Sequence, residues 1–272
     1  GRFLLGRSEL IECRRFGRLK LKNLLSRTEL TLTKGYTRLM PFTNLFRDII
    51  WFKLIDTNKT LVHSACVGFN GEGYLINAWL GMGKTMSTLR LVMHGFDFLG
   101  DDLVRVDDEG AVYAFPMPLK LSLPHAEFLN LNRKIKAKLM LGKLIEKIPY
   151  VRRRIELVHY EKMTDLIKEC LIPEKAEIKK IFILQRASKN DMIPMDKKEV
   201  AKVLALQNKW ERMFWTDRIF TPYSFTDEKF NPTFFEMKEM EIIEEAIRNA
   251  ECYKVLFKKY ASDELEKILL KK

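Results

Sequence analysis

The sixteen residues YLINAWLGMGKTMSTL, at positions 74–89, constrain the fold more than any other part of the chain. An apolar segment typical of a strand is followed by a glycine-containing loop, and Lys84 then opens a helical segment that Gly95 should end. Loops of the form GxxxxGK[ST] between a strand and a helix turn successive backbone N–H groups inward, which suits phosphate groups. The order of elements therefore predicts an α/β domain with a phosphate-binding loop.

The loop departs from this pattern at its first position, where Ala78 replaces glycine. We expect Ala78 to occupy a strained turn with positive φ, at a cost on the order of 1 kcal/mol. Gly83, Lys84 and Thr85 keep the end of the pattern that contacts terminal phosphates and Mg²⁺. The alternative is a helix start at which glycine and lysine meet by coincidence; the preceding strand favours phosphate binding.

Two adjacent carboxylates, Asp101 and Asp102, follow the next apolar segment, FDFLG at 96–100. In α/β proteins the carboxyl ends of strands face the ligand. Adjacent residues of an extended chain point to opposite sides, so one aspartate could hold Mg²⁺ and the other could accept a proton from an attacking hydroxyl. The alternative is a solvated Gly-Asp-Asp turn.

Taken in order, five features resemble the HPr kinase/phosphorylase family, which shares its nucleotide-binding core with phosphoenolpyruvate carboxykinase. They are VH at 62–63, the hairpin before the loop, GMGKT at 81–85, HGF at 94–96 and GDD at 100–102. The resemblance covers residues 61–118 and is strongest to the short HPr-kinase-related proteins of unknown substrate. The family's second signature and separate N-terminal domain have no counterpart in this chain, so HPr itself is not the expected substrate.

This resemblance implies a mixed-sheet α/β core with flanking helices and an ATP-dependent, Mg²⁺-assisted kinase acting on a hydroxyl group of a protein or small molecule. The implied catalytic residues are Asp101, Asp102 and His63, and the implied Mg²⁺ ligands are Thr85 and Asp101. The nucleotide would contact Gly81, Met82, Gly83, Lys84, Thr85 and Met86. Without the resemblance, a histidine on an apolar strand such as His63 is typical of a satisfied core residue.

Two further functional hypotheses stay open beside the kinase, and net charge favours one of them. The formal charge of +12 favours an anionic partner, and basic residues concentrate at 133–154, either as a solvated helix face or as an anion-binding surface. One alternative to a kinase is a regulatory module that binds nucleotide without turnover. The other is a nucleic-acid-directed protein in which the aromatic residues of NKWERMFW at 208–215 stack on bases rather than pack in a core.

The remaining pattern predicts one nucleotide-binding domain over 61–272, with residues 1–60 as an N-terminal segment packed on it. We expect helices at 44–54 and 125–147, strands at 61–69, 74–77 and within 176–185, and a charged, helix-rich C-terminal end. No apolar run is long enough to span a membrane, and four scattered cysteines suit reduced thiols. A cytoplasmic protein is expected, and self-association into a homo-oligomer stays open.

Overall fold

A computed structural model describes residues 2–15, 17–39, 43–145 and 159–270. It is a mixed α/β structure with a large mixed sheet and helices, so the predicted fold class is confirmed. The chain divides into two compact units that are interleaved in sequence. The first comprises residues 1–63, 105–111 and 196–249, and the second comprises residues 64–104, 112–195 and 250–272. The predicted division at residue 60 stays a prediction.

The first unit begins with an antiparallel sheet in the order β1 (Arg2–Gly6), β2 (Glu9–Arg14), β3 (Gly17–Lys22) and β4 (Glu29–Leu32). Helices α1 (Lys34–Leu39) and α2 (Thr43–Ile55) follow, and then strand β5 (Lys59–Val62), which pairs with β9 (Val104–Asp107). The rest of this unit is helical: α7 (Lys197–Trp215), a π-helical turn (Thr216–Phe220), α8 (Thr221–Ser224) and α9 (Pro232–Ala246).

Helix α2 supplies much of the core of the first unit. The helix forms where the sequence predicts one, but not all of its apolar side chains are buried: Ile49 is buried, whereas Phe46 and Ile50 are exposed. The helix instead buries Trp51 and Phe52, and the Phe52 ring makes edge contacts with a cluster of phenylalanines at 220, 230 and 235. Apolar residues cover most of the circumference of α2, so periodicity alone could not select the buried face.

The second unit contains the sequence features that predicted a site. Its strands are β6 (Ala65–Phe69), β7 (Glu72–Ala78), β8 (Asp97–Gly100), β10 (Ala111–Tyr113), β11 (Leu119–Leu121), β12 (His159–Glu161), β13 (Lys175–Arg186), β14 (Asp191–Pro194) and β15 (Glu251–Phe257). Its helices are α3 (Lys84–Met93), α4 (Leu123–Phe128), α5 (Arg133–Ile145), α6 (Met163–Leu166) and α10 (Ala261–Leu270).

Strand directions bring four carboxyl ends to one edge of the sheet in the second unit. The strands run in the order β10–β13–β7–β6–β8, and β15 lies beside β13. β13 is parallel to both β7 and β15, while β6 is antiparallel to both β7 and β8. It follows that β7, β8, β13 and β15 all end at the same edge, where ligands of α/β proteins bind.

Two local predictions in this unit are confirmed. Asn70 and Gly71 both have positive φ, as a type I′ turn requires, and they join β6 to β7. At the end of α3, Gly95 has φ 88° and its N–H donates to the Val92 carbonyl, while Phe96 N–H donates to the Leu91 carbonyl. This is the Schellman arrangement that ends many helices.

Three other predictions need correction. The predicted strand at 61–69 is broken at residues 63–64 into β5 and β6, and the predicted helix at 125–147 is two helices, α4 and α5. The helix-rich C-terminal end contains β15, a strand paired in parallel with β13, because burial between sheet neighbours overrides the helical character of the flanking charges. Of the basic segment, residues 146–154 lie outside the described residues.

All four cysteines carry free thiols, as predicted. None of the described helices combines the length and the apolarity that crossing a membrane would take.

Candidate functional site

The loop between β7 and α3, residues 79–83, has two residues in the left-handed region. Gly81 has φ 79° and Gly83 has φ 96°, and Gly83 is the N-cap of α3. The N–H of Met82 donates to the carbonyl of Trp79 at 3.2 Å, which closes a tight turn inside the loop. Because side chains are strained at such φ values, both positions suit glycine; the loop pattern predicted glycine at 83, and Gly81 is a second glycine within the loop.

Ala78 is not strained, contrary to the expectation from its place in the motif. It is the last residue of β7, lies opposite Leu184 of β13 and is 2 % exposed. Its backbone is extended, outside the left-handed region. The methyl group therefore adds to the buried core of the sheet, and the turn that needs glycine begins later.

Asp101 is a buried carboxylate whose two oxygens both accept hydrogen bonds. The Thr85 hydroxyl donates to Oδ2 at 2.7 Å, and the Thr88 hydroxyl donates to Oδ1 at 3.2 Å. Only 6 % of Asp101 is exposed. Thr88 was not predicted as a site residue, although its position one helical turn after Thr85 is a signal that places both hydroxyls on the same face of α3.

Burial raises the pKa of Asp101 to about 6, and the charge of Asp102 acts in the same direction. The charge of Lys84 and the hydrogen bonds from Thr85 and Thr88 oppose this shift. A buried carboxylate beside a hydroxyl is an oxygen donor set of the kind that Mg²⁺ prefers, and a cation there would favour the ionised form.

The Thr85 hydroxyl and the Asp101 carboxylate fit a Mg²⁺ ion only if phosphate oxygens complete its coordination. Among the described residues, no three or more histidine, cysteine, aspartate or glutamate side chains cluster in a way that could hold a metal ion. Magnesium at phosphoryl-transfer sites usually keeps several waters and takes one or two protein ligands plus substrate phosphates. Thr85 and Asp101 match that smaller requirement.

Asp102 lies in a different environment from its neighbour. Its Oδ1 is 3.4 Å from Nζ of Lys84, and its side chain is 64 % exposed, whereas that of Lys84 is 10 % exposed. The exposed carboxylate is accessible to solvent while it stays within the reach of the loop lysine. The structure thus brings Lys84, Thr85, Asp101 and Asp102 into one cluster at the sheet edge.

The other predicted site residues are placed as follows. Met82 and Met86 are half-buried, and Met82 packs against the apolar core of the second unit. His63 belongs to the first unit, where its backbone N–H donates to Oδ1 of Asn208 at 2.8 Å and its Nε2 lies 3.9 Å from the Glu211 carboxylate. The catalytic role of His63 stays a prediction.

Helix α10 packs beside the loop helix, which the sequence did not indicate. A Cβ built on Gly83 would lie 3.7 Å from the Cβ of Ala261, the first residue of α10. Farther along, Nη1 of Arg90 on α3 pairs with the carboxylates of Asp263, at 2.6 Å, and Glu266, at 3.1 Å. The C-terminal end of the chain therefore contributes to the surroundings of the loop between β7 and α3.

No protein-family model matches the sequence, and no curated protein matches it. Among solved structures, the chain is similar to the HPr(Ser) kinase/phosphatase from Coxiella burnetii, with a TM-score of 0.37 and 13 % sequence identity. The match covers 78 % of this chain and 93 % of the other. A likeness at this level does not transfer a function, which has to rest on the geometry of the site.

Proposed function

We propose that the second unit binds Mg²⁺-ATP at the loop and transfers the terminal phosphoryl group to a hydroxyl acceptor. The observation that carries this proposal is the 2.7 Å hydrogen bond between the Thr85 hydroxyl and the buried Asp101 carboxylate, directly after a glycine-containing strand-to-helix loop. A hydroxyl from the loop helix and a carboxylate from a neighbouring strand are the two protein ligands that P-loop enzymes use for Mg²⁺.

Each side chain then has a definite task. Lys84 and the N–H groups at the start of α3 bind the phosphate oxygens. Bound Mg²⁺, held by Thr85 and Asp101, would supply charge neutralisation on those oxygens. The acceptor oxygen forms a bond to the terminal phosphorus as the bond to the bridging oxygen breaks, ADP leaves, and Asp102 accepts the hydroxyl proton.

Replacement of the loop lysine tests nucleotide binding directly. We expect Lys84→Ala to weaken Mg²⁺-ATP binding by about tenfold or more, because a charge-assisted contact to phosphate is lost. Isothermal titration calorimetry measures the affinity, and thermal unfolding checks that the variant is folded.

The matched control is Lys175→Ala, which removes an exposed lysine at the amino end of β13, the end of that strand farthest from the loop edge. This control should bind like the parent. Equal affinities for the Lys84 variant and the parent would refute the phosphate-loop assignment.

A further inference from the structure

We infer that three cations at the carboxyl ends of β13 and β15 bind the phosphate chain of the nucleotide. These residues, Arg186, Lys258 and Lys259, are here called the cationic edge, and they would contact the phosphates from the side of the loop opposite to Asp101 and Asp102. The inference rests on the proposed function, because it assigns additional ligand-binding residues to the same site.

Strand register places the cationic edge beside the loop. Leu184 of β13 lies opposite both Ala78, the last residue of β7, and Val255 of β15. Arg186 and Phe257, which lie opposite each other, are two residues farther toward the loop edge. Since neighbouring strands are about 4.8 Å apart, β15 runs about 10 Å from the strand that carries the loop. The chain after Phe257 therefore leaves the sheet at the level of the loop.

The chain then turns toward the loop. Lys259 is only two residues before Ala261, whose Cβ lies 3.7 Å from the position of a Cβ built on Gly83. Lysine carries its ammonium group on a flexible four-carbon stem, so a lysine at this distance along the chain can reach an anion held at the loop.

Hydrogen bonds hold the backbone of this segment in place. The N–H of Lys258 donates to Oδ1 of Asn190 at 2.8 Å, and Nδ2 of Asn190 donates to Oε1 of Glu264 at 2.7 Å. The N–H of Ala187 also donates to the Phe257 carbonyl at 2.9 Å. The segments after β13 and β15 are thus tied together, which lowers the entropy cost of binding a ligand there.

Charge distribution indicates what the cationic edge binds. Arg186, Lys258 and Lys259 are all exposed, and within the described ranges none of them forms an ion pair with a carboxylate. In the strand order, β8 with its aspartates lies on one side of β7, and β13 and β15 lie on the other. A polyphosphate at the loop would therefore meet the metal-binding carboxylate on one side and arginine and lysine on the other.

The test removes two charges from the cationic edge and compares two probes. We expect Lys258→Ala/Lys259→Ala to weaken the binding of both Mg²⁺-ATP and inorganic tripolyphosphate by about tenfold or more at low salt. The matched control, Lys168→Ala/Lys175→Ala, removes two exposed lysines, one from the turn that precedes β13 and one at the amino end of β13, and should bind like the parent. Arg186→Ala, measured in the same way, should weaken both probes to a smaller degree.

Each outcome decides the inference. Parent-like affinity of the Lys258→Ala/Lys259→Ala variant for tripolyphosphate would overturn it, and so would an equal loss in the control, which would indicate a general charge effect. Weaker ATP binding with unchanged tripolyphosphate binding would place the lysines at the base or ribose and also overturn it. If Lys84→Ala loses binding while the cationic-edge variant keeps it, only this inference fails; if Lys84→Ala keeps binding, the proposed function fails as well.

Discussion

At the scale of single residues, Asp101 and Asp102 show how neighbours in sequence acquire different properties. Strand β8 ends at Gly100, and the two aspartates lie in the bend that follows it, where one carboxylate is buried beside α3 and the other faces solvent. The buried one accepts two hydroxyl hydrogen bonds, and the exposed one pairs with Lys84. This asymmetry supports separate tasks for the two residues in phosphoryl transfer.

Asparagine substitutions separate these two tasks. We expect Asp102→Asn to retain Mg²⁺-ATP binding, because the amide is nearly isosteric, and to lower ATP turnover by roughly 10²-fold or more, because a positioned base is lost. Asp101→Asn should instead weaken the part of the nucleotide affinity that depends on Mg²⁺. Slow hydrolysis of ATP by water reports turnover without a known acceptor, and calorimetry with and without Mg²⁺ reports binding.

The same experiment decides between a kinase and a regulatory module. If both variants bind nucleotide and neither changes the rate of ATP turnover, the carboxylates have no catalytic task. The regulatory module that binds nucleotide without turnover would then replace the kinase proposal.

At the scale of elements, the segment from Ala78 to Gly83 combines two kinds of backbone conformation. Ala78 ends a buried strand, while Gly81 and Gly83 supply the left-handed residues that let the chain enter α3. The motif alone suggested that glycine is missing where it is needed. The backbone shows that the need for glycine lies at the other end of the loop.

Exchanging alanine and glycine at positions 78 and 83 tests this description of the loop. We expect Ala78→Gly to lower the free energy of unfolding by about 1 kcal/mol and to leave nucleotide affinity no better than in the parent, because glycine weakens a strand. Gly83→Ala has space for its methyl group but should cost about 1–2 kcal/mol in strain at φ 96° and weaken nucleotide binding. Denaturant unfolding and calorimetry measure the two effects, and tighter nucleotide binding by Ala78→Gly would restore the strained-turn hypothesis.

At the scale of the whole molecule, each unit is stabilised by its own core, and that of the first unit includes a buried polar network. Both carboxylate oxygens of Glu239 accept hydrogen bonds from Arg212, and Oε1 also accepts from Trp51 and Asn208. The Arg212 guanidinium lies 3.6 Å from the centre of the Trp51 ring. Removing one partner of such a network would leave buried charge uncompensated, so these residues are expected to support the fold rather than catalysis.

Asp48, next to this network, should make stability depend on pH. Burial raises its pKa from 3.8 to about 6, with Glu211 acting in the same direction and Arg47 and Arg212 opposing the shift. A raised pKa means that the native state holds the proton more tightly, so the associated stability is present below about pH 4 and is lost as the pH rises through 6. Asp48→Asn should lack this loss.

Urea unfolding of the parent and of Asp48→Asn between pH 4 and 7 measures the effect. The unfolding free energy of the parent should fall relative to that of Asp48→Asn by about 2 kcal/mol across this range. Asp56→Asn, which changes an exposed aspartate in the same unit, is the control and should track the parent. Parallel pH profiles for the parent and Asp48→Asn would contradict the prediction.

Features encoded within a few residues could be predicted from the sequence. The turn at Asn70 and Gly71, the end of α3 at Gly95 and the glycines of the loop follow from backbone conformations that few residue types tolerate. The GKT and Asp-Asp motifs likewise named residues that cluster at the sheet edge. A strand, a helix and a second strand parallel to the first bring the ends of both strands to the same edge of the sheet.

Sequence alone thus determined the α/β class, the strand–loop–helix unit and the residues that we propose contact phosphate. Only the tertiary structure decided that Asp101 rather than Asp102 is buried, that Ala78 is extended, that residues 251–257 form a strand, and that Lys258 and Lys259 lie at the loop edge. These outcomes depend on pairing between strands far apart in the chain and on burial against distant residues, and no local pattern encodes either.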